Sequence, residues 1–128
     1  MLNQNQLGNQ TEERVCNYLR DNGYWVYRMP NSVKGQPSDV ITVKNDKATL
    51  IEVKHSANDR FVLSRIEENQ KTAHNYYLSK GNKDHYIIIK FKSGAILLKF
   101  DEIMKFIDKG IKSITYESAR ELGVRIWI

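Results

Sequence analysis

The sequence predicts a mixed α/β fold, one central sheet with helices on both sides, and three observations predict it. Two β-prone runs, Asp39 to Val43 and Ala48 to Val53, flank an Asn45-Asp46 turn and read as a hairpin. Stripes of apolar residues at helical spacing precede and follow that hairpin. The run Ile87-Ile88-Ile89 has the unbroken apolar character of a strand covered on both faces. Helices alternating with strands in this way need a sheet with cover on each side.

In chain order, residues Asn9 to Asn22 read as the first helix, with Val15, Cys16 and Leu19 on one face and Gly23 as its stop. Glu12 falls on that core-facing stripe while Glu13 points elsewhere. An acid on a buried face needs a reason. One is a capping box from Asn9 to Glu12; the other is a role for the carboxylate at a functional site. Tyr24 to Met29, aromatic and β-branched, reads as the first strand. Pro30 to Gln36 is a loop in which Ser32 and Lys34 could touch a phosphate, or simply face solvent.

The hairpin carries the chemistry. If Lys44 and Lys47 flank a two-residue turn, antiparallel counting sets Asp39 opposite Glu52. Alternation then puts Glu52 and Lys54 on one face and Ile51 and Val53 on the other. Two carboxylates and an ammonium group meet on one patch, and a register slip of one residue separates them. Two neighbouring carboxylates repel unless a cation lies between them, and a hard divalent ion prefers such oxygen donors. The bland alternative is a cross-strand ion pair between Lys54 and an acid.

His55 to Arg60 reads as a polar loop. From Leu63 to Lys80 the residues Leu63, Ile66, Ala73, Tyr77 and Leu78 form a helical stripe ended by Gly81. Gln70 falls inside that stripe. A buried amide must be hydrogen-bonded, so Gln70 is either structural or orients a carboxylate of the patch. For His74, one turn on, a structural or surface role is preferred to a phosphate contact. Asp84 to Lys92 and Ala95 to Phe100 are two further strands joined at Ser93-Gly94. Asp101 is expected to cap a short helix bearing Ile103, Phe106 and Ile107 and ending at Gly110. A helix over Glu117 to Leu122 and a strand over Val124 to Ile128 complete the chain.

The 128 residues suffice for a single domain with one core, 1–128. A net charge of +5 favours an anionic partner, nucleic acid before a membrane surface. Cys16, the only cysteine, cannot form an internal disulfide and reads as core, which fits a reducing, cytoplasmic setting. No apolar run approaches the roughly 20 residues of a membrane span. The polar, uncharged opening of the chain does not read as a signal peptide.

Ser38-Asp39 followed, after twelve residues, by Glu52-Val53-Lys54 resembles the signature of the PD-(D/E)XK nucleases, although Pro37 precedes Ser38 rather than the acid. The element order resembles the αβββαβ core of that restriction-endonuclease-like superfamily, with a small C-terminal extension. Gly8 and Glu12 resemble the first-helix pattern of Holliday-junction resolvases. Glu52-Val53-Lys54 with Arg60-Phe61-Val62-Leu63, Ile66 and Asn69-Gln70 is similar to a segment of RecU-like resolvases, as are Tyr86 to Phe91 and Lys112-Ser113-Ile114 with Tyr116. The stalk of that group has no counterpart beyond Met29 to Gln36, and archaeal resolvases and VRR-type nucleases have comparably compact cores.

The resemblance implies a homodimeric, Mg²⁺-dependent endonuclease that nicks four-way DNA junctions symmetrically, with Mn²⁺ able to substitute. It implies an active site of Glu12, Asp39, Glu52 and Lys54 supported by Gln70. Asp39, Glu52, the Val53 carbonyl and Glu12 would bind the ion, directly or, for Glu12, through water. Ser32, Lys34 and Arg60 are the expected DNA contacts. The rival expectations are another nuclease on the same core, acting on duplex, flaps or single strands, and a non-catalytic nucleic-acid-binding domain.

Overall fold

The structure is a computed structural model that describes residues 1–30, 36 and 38–128. The chain runs α1 (Gln4–Asp21), β1 (Trp25–Arg28), β2 (Val40–Lys44), β3 (Lys47–His55) and β4 (Arg60–Val62). A 3-10 turn (Leu63–Arg65), α2 (Glu68–Ser79), β5 (His85–Lys90) and β6 (Ala95–Lys99) follow. It ends with α3 (Phe100–Asp108), β7 (Ser113–Thr115), α4 (Tyr116–Leu122) and β8 (Val124–Ile126).

The hairpin forms because its turn residues tolerate what a two-residue connection demands. Asn45 and Asp46 both adopt positive φ, 53° and 64°, the backbone of a tight turn whose twist matches its strands. That turn pairs Lys44 with Lys47, and the ladder runs to Val40 with Ile51. The next residues along are Asp39 and Glu52, so the acids lie across from each other as the counting predicts. β1 adds antiparallel to β2. β5 then joins β3 in parallel, with Glu52 beside Ile87 and Lys54 beside Ile89. A parallel pair needs a crossover, and β4, the 3-10 turn and α2 supply it. The resulting six-stranded mixed sheet has the order β1-β2-β3-β5-β6-β8, and β4 and β7 pair separately.

Strand alternation divides the core in two. Ile51, Val53, Val40 and Ile88 pack with Val15, Cys16 and Leu19 of α1 on one face. Ile87, Ile89, Ile96 and Leu98 pack with Phe61, Leu63, Ile66, Phe100, Ile103 and Ile114 on the other. Ile87, Ile88 and Ile89 are all essentially inaccessible, as their unbroken apolar run requires. Cys16 is buried core. No helix among the described residues is long and apolar enough to cross a membrane.

Several boundaries differ from expectation. α1 begins five residues before Asn9, and its cap is Asn3, which forms a reciprocal box with Gln6. Asn9 is therefore no cap, and Glu12 has no capping duty. The predicted helix over Leu63 to Lys80 breaks after its first turn, where Leu63 N–H pairs with the Lys112 carbonyl and Glu67 restarts the helix. Lys99, not Asp101, is the N-cap of α3; Asp101 lies in its first turn. β4 and β7, three residues each, were not expected, and His55 belongs to β3 rather than to a loop.

A polar pair lies inside the second core. His74 of α2 and His85 of β5 are 1% and 2% exposed, with their Nδ1 atoms 2.9 Å apart and both rings against Phe100. One imidazole must donate and the other accept, so the pair holds only while at least one ring is neutral. Burial, then the neighbouring His74, pushes the His85 pKa down to about 3, and burial lowers that of His74. Asp101 Oδ1, 3.7 Å from His74 Nε2, is too distant for a hydrogen bond and only partly offsets this.

Both folded-state values lie below the ordinary 6.5. The unfolded chain therefore takes up protons that the folded chain refuses, and stability present above pH 6.5 drains away as pH falls toward about 3. Urea-unfolding midpoints measured from pH 7 to pH 4 are expected to fall, and to fall less in a His85→Met variant. Equal slopes for the two proteins would contradict this account of the pair.

Candidate active site

The site forms where β1 ends, β2 begins and β3 passes its midpoint. Ser38, inaccessible to solvent, donates its hydroxyl to the Ile51 carbonyl at 2.6 Å and pins the start of β2 to β3. The Asp39 carbonyl accepts from Met29 N–H at 2.8 Å, tying β1 to the same point. The β2–β3 ladder stops at Ile51, which leaves the Val53 N–H available. Asp39 Oδ2 accepts it at 2.7 Å, a charge-assisted bond that aims the carboxylate across β3.

Glu52 is 3% exposed and surrounded by partners from three segments. Gln70 Nε2 donates to its Oε1 at 2.7 Å. The other end of the same amide, Gln70 Oε1, accepts from Glu67 N–H at 2.9 Å in the box that starts α2. The helix cap thus orients the amide, and the amide orients the acid. Lys54 Nζ lies 3.7 Å from Glu52 Oε1 and donates to the Arg65 carbonyl at 3.1 Å, so the 3-10 turn steers the ammonium group. Burial first, then the charge of Asp39 and a hydrogen bond with it, pushes the Glu52 carboxyl up to about 10, against the opposing pull of Lys54.

Glu12 reaches the same end of the sheet from α1. Burial and the neighbouring Asp39 raise its pKa, while Arg28 draws it down through an Nε–Oε1 contact of 3.4 Å. Arg28 also donates to Asn9 Oδ1 at 3.1 Å, and Gln36 Nε2 reaches Asp39 Oδ1 at 3.5 Å. Neither Arg28 nor Ser38 was singled out from the sequence. Arg28 follows Val26 at the spacing of one strand face, toward α1, but its partners lie 16 and 19 residues away and leave no local pattern.

Of the expected residues, the structure thus brings Asp39, Glu52, Lys54 and Gln70 together, with Val53 beneath them and Glu12 at the rim. Arg60 stands apart, its guanidinium 3.4 Å from Ser113 Oγ. Ser32 and Lys34, expected to touch phosphate, lie outside the described residues. A concavity of about 990 Å³ between Tyr18, Thr42, Ile88 and Val124 lies on the α1 face, and none of Asp39, Glu52, Lys54 or Gln70 lines it.

The donor set fits a hard divalent ion. Burial, and after it the charge of Asp39, raises the Glu52 carboxyl, so these two neighbouring acids are a pair that a cation between them would relieve. No group of three His, Cys, Asp or Glu among the described residues forms a ready-made cage. One or two carboxylates completed by waters and phosphate oxygens is the arrangement Mg²⁺ accepts and softer metals do not favour.

The comparisons with known proteins bear on family and fold. A family described as "Archaeal holliday junction resolvase (hjc)" matches residues 3–125. Among solved structures, the chain is similar to that of Archaeoglobus fulgidus Hjc, a Holliday junction resolvase from an archaeal hyperthermophile. The two share 16% identity with a TM-score of 0.68, over 92% of this chain and 95% of the other. Identity that low carries the fold alone, which is restriction-endonuclease-like. No curated protein sequence matches the chain.

Two outcomes are expected. Mg²⁺ raises the melting temperature of the protein but not that of a Glu52→Gln variant; equal shifts in both would place the ion elsewhere. Gln70→Leu slows DNA cutting by about 10- to 100-fold, the range for losing a supporting hydrogen bond to a metal ligand, and leaves DNA affinity unchanged in a gel-shift assay.

Proposed function

This chain belongs to the archaeal Holliday junction resolvase family, as a metal-dependent, structure-specific DNA endonuclease, and we propose that the Asp39–Glu52 end of its sheet is where it cuts. The observation that supports this most is the meeting of two carboxylates, an ammonium group and an amide from three segments of the chain, with Asp39, Lys54 and Gln70 each tied to a backbone group and Glu52 held between the last two.

In this reading Asp39, Glu52 and the Val53 carbonyl would hold a Mg²⁺ ion, for which Mn²⁺ could substitute, and Glu12 would contribute directly or through water. When bound, such an ion acidifies water and neutralises charge developing on the phosphate. Lys54, aimed by the Arg65 carbonyl and by Glu52, orients the water that attacks the phosphodiester in line with its leaving oxygen. Gln70 keeps Glu52 in one rotamer, so that its carboxylate faces Asp39 rather than closing on Lys54 alone. Arg28 restrains Glu12 at the rim.

The same proposal covers the finer points of organisation. Residues 1–128 act as one nuclease domain with the PD-(D/E)XK arrangement, in a reducing, cytoplasmic setting consistent with the lone buried Cys16. Two copies act as a homodimer, because a two-fold axis delivers identical sites to opposed strands of a four-way junction. A nearer kinship with RecU-like resolvases rests on the segment from Glu52 to Gln70, in which the acid, lysine and amide occupy corresponding places. Ser32, Lys34 and Arg60 are proposed to contact the DNA backbone.

The test is cleavage of four-way, flap and duplex DNA with and without Mg²⁺. The four-way junction is cut preferentially, and Glu52→Ala abolishes cutting while retaining junction binding. Equal cutting of all three substrates would overturn junction selectivity, and persistent cutting by Glu52→Ala would overturn the site.

A further inference from the structure

On the face of the sheet that carries Glu52, cover among the described residues stops at β3. α2 lies over His85, with the Tyr77 hydroxyl donating to the Ala48 carbonyl at 3.2 Å. β2 and β1 beyond it form an open shelf. Alternation places Trp25 and Tyr27 on this side, because Val26 packs with the α1 core opposite. Trp25 is 59% exposed and Tyr27 49%, and their rings lie nearly parallel, 10° apart with centroids 6.3 Å from each other. Their strand partners Val43 and Ile41 extend the patch inward.

Contiguous exposed apolar surface, unlike singly exposed apolar residues, points to an interaction site. The register says what lies next to this one. Tyr27 pairs with Ile41, two residues along β2 from Asp39 and on the same face. Strand geometry puts the Tyr27 and Trp25 Cα atoms about 8 and 14 Å from that of Asp39. That span is roughly two to four stacked base steps of about 3.4 Å. A DNA strand with its phosphate at the acids and its path along β1 would bring its neighbouring bases over these two rings.

We propose that Trp25 and Tyr27 form a stacking platform for unpaired nucleobases at the branch point, beside the phosphate that is cut. Flat aromatic faces suit every base without reading its sequence, which is what recognition of a branched shape rather than a sequence requires. A fully paired duplex keeps its bases stacked on each other and gains nothing from the platform, so the rings favour junctions over duplex. The net charge of +5 supplies attraction to the backbone but no such preference. The inference rests on the reading of Asp39 and Glu52 as the cutting site.

The test uses the full chain in a Glu52→Gln background, with a four-way junction carrying 2-aminopurine at the branch and a duplex of equal length. Trp25→Ala and Tyr27→Ala weaken junction binding by about tenfold or more and leave duplex binding unchanged. Trp25→Phe restores the affinity and Trp25→Leu does not, because it keeps the apolar area but loses the π-face. The 2-aminopurine fluorescence quenches on binding and fails to do so in the alanine variants. Unchanged junction affinity, or equal losses on junction and duplex, would overturn the platform. So would conversion of a dimer to a monomer by Trp25→Ala in sedimentation, which would make the shelf a contact between two copies. The reading of the site fails separately, if Glu52→Gln by itself still cuts.

Discussion

The register of one hairpin is the constraint on which the site depends. Asn45 and Asp46 turn the chain in two residues, and every pairing from Lys44 with Lys47 to Val40 with Ile51 follows from that turn. One further step sets Asp39 across from Glu52. Because side chains alternate, a slip of a single residue would send Glu52 into the α1 core and bring Ile51 or Val53 to the site. The apolar residues flanking Glu52 resist that slip, since Ile51 and Val53 are buried against Val15, Cys16 and Leu19. Packing on one face of β3 thereby holds the chemistry on the other.

The site in turn works against the fold. Burial and a second acid raise the Glu52 carboxyl, so its charged form costs the folded chain stability that only partly returns through Lys54 and that a divalent ion would restore. The surrounding structure is organised to tolerate this. The amide of Gln70 and the ammonium of Lys54 both face Glu52, and each is anchored at its far side by a backbone group, Glu67 N–H and the Arg65 carbonyl. α2 presents a second polar contact one turn on, where His74 meets His85. The inner face of this helix is therefore a polar seam laid on the sheet rather than an apolar stripe, and its position is set by specific hydrogen bonds more than by bulk burial.

What could be read from the sequence follows from how local each signal is. The hairpin, its register and the two-faced burial of Ile87 to Ile89 were legible because turn chemistry and alternation act over a few residues. Gln70 was legible because a polar residue on an apolar stripe has to be explained, and the same reasoning applied to His74 would have found its buried partner. The true start of α1 was not, since Gln4 to Gln6 are polar and exposed and carry no apolar residue for periodicity to detect. The break between the 3-10 turn and α2 was hidden for a related reason, because a 3-10 turn keeps the i, i+3 spacing of a helix. β4 and β7 are too short to show a period. Arg28, Ser38 and the Asp39 bond to Val53 N–H depend on contacts 13 to 19 residues apart and appear only once the strands are placed.

The central claim is that Asp39, Glu52 and the Val53 carbonyl share one divalent ion. Anomalous scattering from a crystal of the protein soaked in Mn²⁺ tests it most directly. The account predicts a single strong peak within bonding distance of both carboxylates and that carbonyl, with Lys54 beside it. A peak elsewhere, or the two carboxylates turned away from each other around no ion at all, would contradict it.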